Sequence, residues 1–213
     1  MGVALLHTTT VSQSGLREDR RRQILHFAKQ IFAKKGFHDA SVSDIIHEAG
    51  IARGTFYLYF TGKRDVFDTL LDDLLQELRL RIQPIALGPG SPEPLDQLKG
   101  NIRRVLELVP QEPELFRILL HHASGLDQQS AAILRIFYDR VLTLIERSLE
   151  HGTRLGLVRP CDTRIVAVCI LGTIKQVADW LTAQRSKPPA LDVLAEEIVG
   201  FGLRGLFSRR REM

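Results

Sequence analysis

Cysteine is scarce in this chain of 213 residues, which contains only Cys161 and Cys169. Two cysteines are too few for a disulfide framework, and they are too few for a zinc site with four cysteine ligands. We therefore expect two buried free thiols in a reducing compartment. We expect no metal ion and no other cofactor.

Long apolar segments are also missing. The longest run, over residues 165–174, is well short of the roughly 20 residues that cross a lipid bilayer. The first fifteen residues have no basic segment and only a short apolar stretch, so they are not typical of a signal peptide. These absences predict a cytoplasmic protein that has no membrane partner.

The residue sets that carry catalysis are missing as well. No Ser/His/Asp or Cys/His combination stands at a recognisable spacing, and there is no glycine-rich phosphate loop. His121 and His122 are adjacent, so on a helix they point about 100° apart. A metal-binding histidine pair on one helix face needs the i, i+4 spacing instead. We expect neither an enzyme nor a metal site.

Positive charge is concentrated at the N-terminal end of the chain. The whole protein has a formal net charge of +4, but residues 1–64 hold ten Lys/Arg against five Asp/Glu. Residues 65–213 hold nineteen Lys/Arg against twenty Asp/Glu. A basic segment attached to a nearly neutral body indicates a polyanionic partner, most often a nucleic acid.

Helical periodicity runs through most of the sequence. Apolar residues recur at i, i+3, i+4 and i+7, and no alternating strand pattern of any length competes with them, so the predicted fold class is all-α. Residues 1–16 are rich in Thr and Ser and are expected to form a frayed tail. The helices are expected over 17–35, 42–49, 52–60, a fourth segment capped by Thr61, 95–109, 113–123, 127–151, 163–183 and 191–207.

Residues 41–60 have the spacing of a helix–turn–helix. Two short helices flank a turn at Gly50, and the helix over 17–35 can cover their apolar faces. On the second short helix, Phe56 and Phe60 fall on the inner face together with Tyr59. The opposite face is small, basic or aromatic and has no carboxylate, so it can enter a major groove without repelling phosphate. That outer face consists of Arg53, Gly54, Tyr57 and Leu58.

The sequence of residues 42–63, VSDIIHEAGIARGTFYLYFTGK, closely resembles the N-terminal domain of the TetR/AcrR-family transcriptional regulators. Residues 33–37 resemble the end of that family's first helix, and the resemblance as a whole spans about residues 20–67. The rest of the chain is similar to the family only in its length and helix layout.

The resemblance implies a homodimeric regulator, most often a repressor, that binds a pseudo-palindromic operator in double-stranded DNA and leaves it when a small molecule binds. It also implies three regions. These are a disordered tail over 1–16, a helix–turn–helix DNA-binding domain over 17–62, and a helical effector-binding and dimerisation domain over 63–213.

The family's DNA contacts can be carried over by position. Its phosphate contacts fall on Ser41, Val42, Tyr57 and Lys63, and its base contacts fall on Arg53, Thr55 and Leu58. Gly54 lets the backbone approach the DNA closely.

Three positions depart from the usual pattern of the family. Ala40 stands where Thr is common, Ile46 where Ala is usual, and Ala52 where a capping Ser is common. Losing that cap costs about 1 kcal/mol. The basic run over 20–22 either reaches the minor groove or only raises the local potential.

The effector site and the dimer interface are expected in the C-terminal part. Ligands of the family lie between its middle helices, where the polar and aromatic candidates are Arg117, His121, Phe137, Tyr138, Lys175 and Trp180. Each of them is also compatible with a core or surface position, and together they predict an apolar or amphipathic effector.

The helix over 163–183 is too apolar to be covered on one side only, so it is expected to form a four-helix bundle with the last helix and a second subunit. The interface candidates are Ile165, Cys169, Gly172, Leu194, Ile198, Phe201 and Gly202.

Two alternatives remain beside the ligand-responsive regulator. The first is a ligand-independent chromosome-organising or division-control protein of the same fold, which requires a filled C-terminal core and many genomic sites. The second is an enzyme or ligand carrier with a vestigial helix–turn–helix, and the intact outer face of the second short helix argues against it.

Overall fold

A computed structural model of the protein describes residues 13–121, 127–183 and 188–204, except for the side chains of residues 13, 14, 121 and 204. In this part the chain forms ten α-helices and no β-strand, which confirms the predicted all-α class. They are α1 (Gln13–Lys35), α2 (Val42–Glu48), α3 (Arg53–Tyr57), α4 (Lys63–Arg81), α5 (Pro94–Leu106), α6 (Leu108–Gln111), α7 (Pro113–His121), α8 (Gln128–Arg154), α9 (Thr163–Ala183) and α10 (Leu191–Arg204).

The first helix is longer at its N-terminus than the sequence pattern predicted. It begins at Gln13 instead of residue 17, so residues 13–16 are helical, while residues 1–12 of the expected tail lie outside the described part. The helix ends at Lys35, and the next residue, Gly36, has a φ of 79°. Glycine adopts this left-handed conformation without a steric penalty.

The helix predicted over 52–60 is shorter in the structure, where α3 ends at Tyr57. Two further differences from the predicted boundaries have identifiable reasons. The helix expected over 95–109 is split into α5 and α6, and Pro110 explains the break because it has no N–H to donate along a continuous helix. The N-cap of α4 is Gly62 rather than Thr61. Thr61 instead donates its N–H and its hydroxyl to the Asp65 carboxylate, at 2.7 and 3.1 Å.

The N-terminal helices share one apolar core with the middle helices. The rings of Phe32, Phe37 and Phe67 pack together with centroids 5.1 to 6.5 Å apart, where α1 and α4 meet. The same cluster of buried side chains continues into α7 and α8. α1 packs on α7, and α4 packs on both α8 and α5. The first three helices are therefore attached to the rest of the chain through α1 and α4.

α9 is mostly apolar and lies largely uncovered. It is 21 residues long with a mean hydropathy of 1.5 in its most apolar window, so by length and composition alone it could cross a membrane. The uninterrupted apolar run over 165–174 is shorter than this helix, and the absence of a membrane partner stays a prediction. Only 11% of that window is buried within the chain. Cys169 on this helix is exposed and Cys161 is half-buried, so the expectation of two buried thiols was wrong.

Candidate nucleic-acid interface

The second helix of the helix–turn–helix is held by its aromatic residues and is open on the opposite side. Phe56 and Phe60 are buried in the apolar core, with their ring centroids 6.0 Å apart. Tyr57 is 47% exposed and Leu58 is 75% exposed. Arg53 and Gly54 are also exposed, while Thr55 and Tyr59 are half-buried. The structure therefore brings the predicted outer face to the surface as one continuous patch.

Within this patch the guanidinium of Arg53 lies 5.7 Å from the centroid of the Tyr57 ring. A cation over an aromatic face is held in place by the negative potential of the ring. A Cβ added at Gly54 would meet nothing within 4 Å, so the chain's own packing does not require glycine there. The patch is flat at Gly54 and basic at Arg53, which suits close contact with an external polyanion.

The start of α2 is fixed by a reciprocal capping arrangement. The Ser41 hydroxyl accepts from the Asp44 N–H at 3.1 Å, and the Ser41 N–H donates to the Asp44 carboxylate at 2.9 Å. The ammonium of Lys35, at the end of α1, donates to the same carboxylate at 2.6 Å. These hydrogen bonds lower the pKa of Asp44 to about 2, and the bond from Lys35 has a larger effect than those from Ser41. Ser41 is therefore the N-cap of α2, and the phosphate contact expected of it stays a prediction.

The turn between α2 and α3 is tied to α1. Gly50 has a φ of 60°, and the amide of Gln23 donates to the carbonyl of Ala49 at 2.8 Å. The guanidinium of Arg21 lies 5.8 Å from the centroid of the Phe60 ring. As the departure from the family pattern predicted, Ala52 at the N-cap of α3 has no side-chain hydrogen bond. The turn is therefore held by α1 rather than by a cap of its own.

Lys63 is the first residue of α4 and binds the backbone of an earlier segment. Its ammonium donates to the carbonyls of Phe37, His38 and Ala40, each at 2.8 Å. It also lies 4.8 Å from the centroid of the Phe37 ring. An ammonium has three N–H donors, and all three are used here. The ammonium is therefore bound to the connection between α1 and α2 in the absence of DNA, and the phosphate contact expected of Lys63 stays a prediction.

The arginines over 20–22 belong to α1 and do not form an extended arm. Arg22 forms an ion pair with Asp19 at 2.8 Å, and Arg20 donates to Gln23 at 2.6 Å. Arg20 and Arg22 are exposed, so they add positive potential beside the helix–turn–helix.

The predicted effector residues are only partly brought together. Phe137 is buried, and Tyr138 next to it is half-buried, with its pKa raised to about 12 by burial. The Lys175 ammonium lies 5.0 Å from the centroid of the Tyr138 ring, which joins α8 to α9. Arg117 and Trp180 are exposed in the single chain, and the side chain of His121 lies outside the described residues.

A pocket of about 230 Å³ that sequence reasoning missed lies between α5 and the loop before it. The amide of Asn101 accepts from the N–H of Gln83 and donates to its carbonyl, both at 2.8 Å. Gln97 makes the same pair of bonds with the backbone of Ala86, at 2.9 Å. Two amides four residues apart on one helix face were the available sequence signal. The pocket is therefore lined by amide side chains that hydrogen-bond to the backbone, and this polar lining differs from the apolar site expected for the effector.

The predicted interface residues lie on the open side of α9 and on α10. Ile165 is 62% exposed and Phe201 is 54% exposed, and Leu194 and Ile198 are half-buried. Cys169, Gly172 and Gly202 are also exposed. The other side of α10 packs on α5, with ion pairs Lys99–Glu196 at 2.5 Å and Arg103–Asp192 at 3.0 Å.

Comparison with known proteins identifies relatives that cover most of the chain. The Fatty acid metabolism regulator protein of Bacillus subtilis is 36% identical over 165 residues, which is 75% of this chain and 82% of the relative. The fatty acid degradation regulator FadR from Bacillus halodurans has a TM-score of 0.73 at 24% identity, covering 89% of this chain and 97% of that one. FadR from Bacillus subtilis in complex with stearoyl-CoA has a TM-score of 0.70 at 21% identity, covering 87% and 99%.

Family profiles match both parts of the chain. Residues 24–70 match the bacterial regulatory proteins of the tetR family, and residues 91–206 match the tetracyclin repressor-like C-terminal domain. The first match contains the entire helix–turn–helix with its exposed α3 patch. The second extends over more than half of the chain. The protein therefore belongs to the TetR family and is a transcriptional regulator with a helix–turn–helix DNA-binding domain.

Proposed function

We propose that the protein is a homodimeric repressor that binds a pseudo-palindromic operator through the exposed patch of α3 and leaves it when a small molecule binds. The observation that carries the proposal is this patch, which has an arginine, no carboxylate and a rigid aromatic support beneath it. Arg53 is assigned to base contact and Tyr57 to phosphate contact, in line with the general division between the two kinds of contact.

The open face of α9 supports the homodimer. Exposed apolar surface on a protein often marks an interaction site. Here Ile165 and Val168 are more than half exposed on α9, and Phe201 and Leu203 are more than half exposed on α10. Two copies of these helices would cover each other in a four-helix bundle around a two-fold axis. The apolar composition of α9 then reflects a subunit contact rather than a membrane span, and the protein acts in the cytoplasm, where its DNA is.

A two-fold dimer also accounts for the form of the operator. The two α3 patches of a symmetric dimer would enter successive major grooves, about one helical turn apart, so each half-site repeats the other with inverted orientation.

The effector class we propose is a fatty acyl thioester of coenzyme A. One relative at 36% identity is a Fatty acid metabolism regulator protein, and a protein of the same fold has been solved with stearoyl-CoA. Phe137 and Tyr138 between α8 and α9 supply apolar surface, and Lys175 supplies a cation beside them. Such a combination suits an apolar chain joined to an anionic head group.

The first test recovers genomic DNA bound by the purified full-length protein at two salt concentrations. A few palindromic sites near one operon support the proposal. Many dispersed sites instead favour the chromosome-organising alternative, and no enrichment at either salt concentration contradicts DNA binding altogether. Affinity should fall with salt, with a slope near −0.9 for each phosphate neutralised.

The second test adds stearoyl-CoA to the complex with the recovered operator, with coenzyme A and stearate as controls. Release by stearoyl-CoA alone supports the proposed effector class. Complete release requires about 5.5 kcal/mol of preference for the state that does not bind DNA, and a smaller preference gives partial release. If none of the three compounds changes the complex, the proposed effector is wrong while DNA binding stands.

A further inference from the structure

A glutamine of α1 binds the turn that leads into α3. The side-chain amide nitrogen of Gln23 donates to the carbonyl of Ala49 at 2.8 Å. Of the side-chain hydrogen bonds in the described part of the chain, this is the one that joins α1 to residues 49–52. Ala49 is buried, so water cannot take over as a donor to this carbonyl unless the turn opens.

The carbonyl of Ala49 is one that the backbone leaves without a donor. α2 ends at Glu48, and the carbonyls at the end of a helix have no partner within the helix. The N–H groups of Gly50 and Ile51 bond to carbonyls inside α2. Within the described residues no backbone N–H bonds to the carbonyl of Ala49, so Gln23 supplies the donor that the turn lacks.

The amide of Gln23 is oriented by a second residue of α1. The guanidinium of Arg20, one helical turn earlier, donates to the amide oxygen at 2.6 Å. A guanidinium can only donate and a carbonyl can only accept, so the oxygen of the amide faces Arg20 and its nitrogen faces Ala49. A rotation of the amide would therefore break both hydrogen bonds.

The start of α3 has no anchor of its own. α3 is five residues long, and its N-cap, Ala52, makes no side-chain hydrogen bond. A helix shorter than about 12 residues is not stable by itself, so the position of α3 comes from its tertiary contacts. Phe56 holds the inner side of α3 in the core, and the turn holds its beginning. The direction in which Arg53 leaves the surface therefore depends on the turn that Gln23 binds.

We propose that Gln23 is a positioning residue that determines how well the protein distinguishes its operator from other DNA. The inference rests on the proposed operator binding. Base contacts require side chains to meet particular base edges, whereas phosphate contacts carry no sequence information. A turn released from α1 therefore costs affinity for the operator and little affinity for unrelated DNA. Gln23 precedes residues 24–70, which match the family profile, so the profile assigns it no role.

The test measures the affinity of Gln23 variants for the recovered operator and for a scrambled duplex. Gln23→Met keeps the length of the side chain and removes its donor, while Gln23→Lys restores a donor. The added charge of Gln23→Lys raises both affinities, so the preference for the operator is the quantity compared. Gln30→Met is the matched control, because Gln30 is exposed on the same helix and its amide contacts His26 of that helix.

We expect Gln23→Met to lose about five- to tenfold of the preference for the operator in each subunit, which corresponds to the usual net value of one hydrogen bond. Gln23→Lys and Gln30→Met should keep the preference of the unaltered protein.

A role in packing alone would give a different pattern. Gln23→Met would then keep its preference, because methionine fills a similar volume, and the inference would be overturned. An equal loss on both duplexes would also overturn it, as would a Gln23→Lys variant that is no better than Gln23→Met. If the unaltered protein prefers no operator, the proposed function fails, and this inference fails with it.

The unaltered protein provides a second measurement that does not depend on whether the variants fold. The side-chain N–H groups of Gln23 should exchange with solvent more slowly than those of Gln30, both in the free protein and in the operator complex. Equal exchange rates in the complex would show that the bond to Ala49 is broken on the operator, and the positioning role would be wrong.

Discussion

The ammonium of Lys35 lies 2.6 Å from the carboxylate of Asp44, so the last residue of α1 is paired with the third residue of α2. The same carboxylate accepts the N–H and the hydroxyl of Ser41 at the N-cap. One side chain therefore closes the helix cap and fixes the angle between two of the three helices that carry the α3 patch.

This arrangement predicts an acid-dependent loss of stability. The pKa of Asp44 is lowered to about 2 in the folded protein from its ordinary value of 3.8. Because the folded pKa is the lower one, the contribution of Asp44 to stability is complete above about pH 4 and is lost as the pH falls towards 2. Urea unfolding of the protein and of Asp44→Asn should differ most at pH 5 and converge near pH 2. A difference that is constant between these values, or a titration of Asp44 near 3.8, would contradict the assignment.

Removal of the cap itself is expected to destabilise the protein modestly. Ser41→Ala deletes the hydroxyl that accepts from the Asp44 N–H, which costs about 1 kcal/mol for a typical N-cap. In a protein of this size that corresponds to a fall in Tm of about 2 to 4 °C. Ser43→Ala is the matched control, since Ser43 is exposed on α2 and is not its N-cap. Equal Tm values for the two variants would show that the cap does not contribute.

The α3 patch leads to a prediction about sequence specificity. Arg53→Ala should lower operator affinity by about five- to 150-fold, the range that a base contact worth about 1–3 kcal/mol provides. The loss on a scrambled duplex should be smaller. Arg79→Ala removes an exposed arginine from the last turn of α4 and serves as the control for charge. If Arg53→Ala weakened both duplexes equally, Arg53 would be a phosphate contact and not a base contact.

Sequence patterns were sufficient for features that depend on neighbours within one helix. The period of 3.6 residues placed Phe56 and Phe60 inside and Leu58 outside. The all-α class and the family resemblance followed from the same local signals.

Features that depend on distant backbone were not predictable in this way. The partners of Lys63 are carbonyl oxygens of residues 37, 38 and 40, and every residue has a carbonyl, so no side-chain pattern marks them. Helix periodicity also does not tell which apolar side of a helix is covered by its own chain and which by a partner. For this reason Trp180 was assigned to an internal site, whereas the single chain leaves it exposed.

The exposed side of α9 makes the dimer testable by one substitution. Ile165→Asp places a carboxylate within the proposed interface, where a charge without a partner cannot be buried at a low cost. We expect the variant to sediment as a monomer at a micromolar concentration at which the unaltered protein is a dimer, and to lose operator affinity because one helix–turn–helix contacts only one half-site. Leu80→Asp is the control, since Leu80 is equally exposed but lies near the end of α4. A monomeric unaltered protein, or a dimer that tolerates Ile165→Asp, would exclude α9 as the subunit contact, and the exposed apolar face of this helix would then require another partner.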